Sequence, residues 1–151
     1  MIKPYAAVTA AALMLASVAA TPAIADDDAT VAYRKDVMVI AGAGMGALGC
    51  FMKGDCALEG KVLAAAAKSI AFAGELSQEA FEDPAEDAMV ETTSVPAIWE
   101  NWETFSGGLQ AMTEAADALV MAAMEADKAT MGPLMQKLGG TCKECHDNFR
   151  E

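Results

Sequence analysis

Near the C-terminus the chain reads Cys142-Lys143-Glu144-Cys145-His146. Two thiols three residues apart on a helix stand on nearly the same side. Each can add its S–H across one vinyl group of a haem, a step that needs neither oxidant nor reductant. The histidine that follows then offers its imidazole to the iron, and the C-x-x-C-H spacing is accordingly that of c-type haem attachment. A thioredoxin-like C-x-x-C would require a βαβ context, which this chain lacks. A structural zinc site wants four Cys or His ligands, and the remaining cysteines, Cys50 and Cys56, form no second C-x-x-C. The chain has one histidine, and it falls immediately after the second cysteine of the motif.

The elements that carry these groups are helical. Of the 151 residues 54% are hydrophobic and only 6% aromatic, with Ala and Met abundant. Residues that favour strands are therefore scarce. A first helix is expected from about 29 to 53, capped by Asp28 or Thr30, with Arg34, Met38, Ala41, Met45, Leu48 and Met52 on one face. A turn at Gly54-Asp55 leads to a second helix over about 58–76. A polar crossing loop over 77–94 contains Pro84. The third helix is expected to open at Pro96 and run to about 125 through Trp99, Trp102 and Phe105, aromatics best read as core or haem-packing residues. The fourth starts near Asp127 or Thr130, limited by Pro133, and ends at Phe149. Four helices of this length imply an all-α, antiparallel four-helix bundle around a covalently bound haem.

Residues 1–25 read as a signal peptide: Lys3, then an apolar run, then Ala23-Ile24-Ala25 as a cleavage site. The run is short for a span of about 20 residues and is followed at once by Asp26-Asp27-Asp28. The expected mature domain is 26–151, periplasmic and without a membrane span. Export to an oxidising compartment also lets Cys50 and Cys56 close a small disulfide loop around Met52–Asp55, with two free thiols as the alternative. Asp and Glu outnumber Lys and Arg 22 to 10, for a net charge of −12. Such a chain is repelled by phosphate backbones and anionic lipid, so nucleic acid and membrane surfaces are poor partners.

Four sequence features together resemble the class II cytochromes c, that is, cytochrome c′ and its low-spin, methionine-ligated relatives. They are Tyr33-Arg34, Met52-Lys53-Gly54, Pro96-Ala97-Ile98-Trp99, and the run from Cys142 to Arg150. The last is the most specific, because most other mono-haem cytochromes c carry C-x-x-C-H near the N-terminus. The resemblance spans the mature chain and implies one haem c on Cys142 and Cys145, with His146 as proximal ligand. It also implies Arg34 near a haem propionate and Arg150 beside the proximal histidine. One departure is visible. Many cytochromes c′ have a Trp after the second helix, where Phe81 is the only aromatic here.

The sixth coordination position decides the mechanism. With no second histidine, a methionine thioether is the remaining common ligand, and it raises the reduction potential. Met38, one turn past Arg34, occupies the position that faces the open side of the haem in the family. There a Met ligates the iron in low-spin members and merely occludes it in others; Met45 is the weaker alternative. The main expectation is a low-spin His/Met electron carrier serving periplasmic redox proteins. The alternative is a five-coordinate protein that binds nitric oxide or carbon monoxide, and a homodimer is left open. No general base or substrate-sized polar constellation is legible, so an enzyme is not expected.

Overall fold

The computed structural model describes residues 26–151; the expected leader, 1–25, lies outside the described residues. Helix α1 spans Asp27–Lys53. Its cap is Asp26 rather than Asp28 or Thr30: the Asp26 carboxylate accepts from the N–H groups of Asp28 and Ala29 at 3.0 and 3.3 Å. The next two carboxylates, in the first turn where the helix dipole favours them, are taken by the crossing loop. Asp27 accepts from Asp87 N–H, and Asp28 from the N–H groups of Met89 and Val90. Gly54 ends the helix at φ 83°, a left-handed conformation that favours glycine.

Helix α2 spans Gly60–Ala80, four residues beyond the expected Leu76. The polar residues that looked like loop are accommodated individually. Buried Ser77 donates to Ala73 O at 2.7 Å, and Gln78 exchanges hydrogen bonds with Ser106. The single third helix expected from Pro96 is broken. A short α3, Ala97–Glu100, is followed at Asn101 (φ −128°, ψ 43°) by α4, Trp102–Met124. The Asn101 side-chain amide donates to Ala97 O at 3.1 Å, competing with helical continuation as Asn side chains do. Helix α5, Lys128–Phe149, starts from an Asp127 cap and carries Pro133 within it, where one helical N–H is forgone.

The result is an all-α four-helix bundle in which α1 packs along α2, α2 along α4, and α4 along α5. By length and composition α1 could cross a membrane, yet here it is a bundle helix with Val31, Val37, Ala41 and Leu48 buried. The main core joins Leu48, Leu63, Ile70, Leu119, Met131 and Leu138, all fully buried. Each such side chain contributes about 2 kcal/mol. Two glycines set the interhelical distances. A Cβ on Gly44 would lie 2.6 Å from Ile70 Cγ1 and 2.7 Å from Ala66 O, and one on Gly74 would meet Thr113 Oγ1. Because α1 is drawn tightly onto α2, room is left between α1, α4 and α5.

Candidate functional site

That room is a cavity of about 960 Å³, at the upper end of the range for ligand sites. It is walled by Met38, Ala41 and Met45 of α1, by Phe105, Leu109 and Met112 of α4, and by Cys142, Cys145, His146 and Phe149 of α5. The motif helix therefore turns both thiols and the imidazole to one space. The polar side chains of α5 between them look elsewhere: Lys143 pairs with Asp147, and Asn148 donates to Glu144 O at 2.7 Å. Neither motif cysteine is disulfide-bonded.

Three glycines from three helices, Gly42, Gly108 and Gly139, also line the cavity. A Cβ on any of them would meet nothing within 4 Å. Side chains there would intrude on space that is otherwise kept clear. Where Met38, Ala41, Met45, Leu109 and Met112 meet, the wall is apolar, and its aromatic end is ordered by ring contacts. Phe105 lies 5.2 Å from Phe81 and 5.3 Å from Phe149, the latter edge-on. These are favourable aromatic geometries. A broad apolar slot with two adjacent thiols and a nitrogen ligand on one wall fits a haem held by thioethers.

Electrostatics favour the neutral forms of these groups. Burial raises the Cys142 thiol, with the Thr141 hydroxyl pulling the other way. Burial also raises Cys145, reinforced by Cys142 and Glu144. His146 is lowered, first by burial and then by the Arg150 guanidinium, against an upward pull from Asp147. An imidazole that resists protonation keeps its lone pair for a metal. Arg150 lines the cavity at the end of α5.

The family model described as Cytochrome C′ matches residues 29–150. The chain belongs to the cytochrome c′ family. Proteins of the cytochrome c′ family bind one covalently attached haem c. The chain is 37% identical to cytochrome c′ of Rhodospirillum rubrum over 126 residues, covering 83% of this chain and 84% of that one. It is 31% identical to cytochrome c-556 of Agrobacterium tumefaciens (strain II Chrys), covering 80% and 95%. Among solved structures it is similar to cytochrome c′ of Rubrivivax gelatinosus, with a TM-score of 0.72, 26% identity, and coverage of 83% and 97%.

Within this cytochrome c′ bundle the sequence-derived residues fall as follows. Met38 and Met45 both stand on the cavity wall, but in different packing. Met38 packs against the cluster of Phe81, Ile98, Phe105 and Phe149, and Met45 against the main core. Arg34 also borders the cavity, yet three of its N–H groups are given to backbone carbonyls of Ala80, Asp83 and Pro84. Burial pulls its pKa below the ordinary value, with Asp83 and Asp27 opposing. Cys50 and Cys56 lie at the far end of α1, away from the cavity, joined as a disulfide with a Cα separation of 5.5 Å, inside the range such bonds require.

Several lining residues carry no sequence signal. Glu91, Thr92, Thr93 and Ser94 of the crossing loop reach the wall. They do so because Glu151 N–H donates to Thr93 O and Val95 N–H to Phe149 O, tying the loop to the end of α5. Only the pairing of backbone groups places them there.

Proposed function

We propose that this protein is a periplasmic, five-coordinate cytochrome c′ that holds a diatomic gas, nitric oxide or carbon monoxide, and is not an enzyme. Cys142 and Cys145 would hold the haem through thioethers and His146 would ligate its iron, with Arg150 close to that histidine. When bound, the haem would supply a redox couple and a site for a sixth ligand. Met38 would stand over that site from α1 without binding the iron. The observation that carries the reading is the packing of Met38, a partly buried cavity-wall residue that packs against the cluster of Phe81, Ile98 and Phe105 and against Val37, Ala41 and Ala73. Around Met38 the lining includes the apolar side chains of Ala41, Met45, Leu109 and Met112, while Arg34 and Lys35 of α1 also border the cavity; an apolar patch of this kind suits a small neutral ligand. The greater identity to a cytochrome c′ than to a cytochrome c-556 supports the same choice. Export with cleavage after Ala25 is part of the proposal, since covalent haem attachment of this type takes place outside the cytoplasm.

One observation favours a second reading, a low-spin electron carrier for periplasmic redox proteins. The Met38 thioether stands on the cavity wall, and a thioether that reached the iron would stabilise the ferrous state. Absorption spectra of the ferric and ferrous protein, with and without carbon monoxide, separate the two. A high-spin spectrum and ready carbon monoxide binding are expected. A low-spin ferric spectrum that Met38→Ala converts to high spin would replace the gas-binding reading with the electron-carrier one.

A further inference from the structure

Where α2 ends, the chain turns back a run of backbone carbonyls toward α1. Arg34 meets them from α1, only 2% exposed. Its Nε donates to Ala80 O at 2.8 Å, Nη1 to Pro84 O at 3.3 Å, and Nη2 to Asp83 O. The remaining carbonyl of this turn that faces inward, Phe81 O, accepts from Trp99 Nε1 at 2.8 Å. The guanidinium carbon stands 5.2 Å from the ring centroids of both Phe81 and Trp99. Two side chains thus bind four carbonyls, and one of them is held between the rings.

A purely structural role, closing the C-terminal end of α2 with a cation, accounts for the charge. It does not account for the two ring contacts or for where they lead. Met38 is one turn further along α1 and faces the cavity. Phe81 is itself a cavity wall, in contact both with the Arg34 guanidinium and with the Phe105 ring, whose centroid is 5.2 Å away. The same planar fork therefore fixes the register of α1 against the end of α2 and the orientation of the ring opposite. A lysine keeps the charge but presents a point donor without the fork or the stacking plane.

We propose that Arg34 is a positioning residue that sets the opening between Met38 and Phe81, and thereby how fast a sixth ligand reaches the haem. This rests on the gas-binding reading above. The test is carbon monoxide recombination after flash photolysis of the haem-loaded ferrous protein, for wild type, Arg34→Lys and Trp99→Phe, alongside ferric spectra and thermal melting.

Arg34→Lys is expected to change the association rate by about tenfold, because lysine lacks the planar fork and stacking face that hold this corner. Trp99→Phe should shift it in the same direction but less. Lower melting temperatures with wild-type association rates in both variants would overturn the proposal, leaving Arg34 a structural clamp. Should Arg34→Lys fail to fold with haem, Trp99→Phe carries the test, and a wild-type rate in it overturns the proposal. If wild type is low-spin and refuses carbon monoxide, the gas-binding reading fails separately. Arg34 is then judged on the ferric spectrum: conversion of part of the haem to high spin in Arg34→Lys sustains positioning, and an unchanged spectrum rejects it.

Discussion

Thr113 of α4 fills the space that a side chain on Gly74 of α2 would need. Its hydroxyl is not free to swing away, since it donates to Leu109 O at 3.2 Å and lies 3.4 Å from Ala71 O. Replacing Gly74 by Ala gains about 0.5–1 kcal/mol of helix propensity but forces an overpacked crossing that costs about 1–3 kcal/mol. The cost wins. Urea unfolding should show Gly74→Ala destabilised by about 1–2 kcal/mol, and Thr113→Ala should restore part of it in the double variant. Additive effects of the two substitutions would show that they do not meet.

The proposed attachment of the haem to Cys142 and Cys145 makes a simple demand. Acid acetone extracts noncovalent haem only, so the denatured wild-type protein should keep its haem stain. The double substitution of Cys142 and Cys145 by Ser should lose it. His146→Ala should keep the stain while its visible spectrum changes; an unchanged spectrum would remove His146 from the proximal position.

Much of this was legible in the sequence, and the exceptions share a cause. The four long helices and the grouping of Cys142, Cys145 and His146 follow from periodicity and spacing, Asp127 is one of the two starts open for α5, and the place of Met38 follows from the family resemblance. The extension of α2 to Ala80 does not, because Ser77 and Gln78 are polar types made helical by partners that only the fold brings near. Three consecutive aspartates concealed which one caps α1. The Arg34 cage was invisible for a plainer reason: its acceptors are backbone carbonyls, which every residue has, so no residue type announces them. Gly42, Gly108 and Gly139 matter by lacking a side chain, a role that becomes apparent only once a cavity is present to be kept clear.

The Cys50–Cys56 bond closes a loop with a sequence separation of 6 residues. Chain-entropy reasoning for so short a loop gives about 2 kcal/mol. Reduction, or substitution of both cysteines by Ser, should lower the unfolding free energy by about that amount without altering the haem spectrum, since the bond is remote from the cavity. Rapid alkylation of both thiols in unreduced, unfolded protein would show that the bond is absent.

Asp127 supplies an acid-sensitive element. Its carboxylate is held below the usual range first by the Thr130 hydroxyl and then by the Ala129 N–H. A depressed folded-state pKa contributes stability that is present above the unfolded carboxylate value and is lost as pH falls through the folded one. Asp127→Asn keeps a capping oxygen but cannot titrate, so its urea midpoint should fall less steeply on acidification than that of wild type. Parallel pH profiles for the two proteins would show that the cap does not contribute.

The cavity is assembled from the two ends of the described chain: Arg34 and Met38 come from α1, Cys142 and His146 from α5. A chain exported from its N-terminus can pair α1, α2 and α4 before α5 has emerged. On the proposed attachment α5 is then the last helix to dock, chiefly against α4. Both thiols accordingly stay accessible to attachment while the wall they will face is already in place. Completion of the site is then a single late event, in which the arrival of α5 brings His146 to a surface formed by α1 and α4.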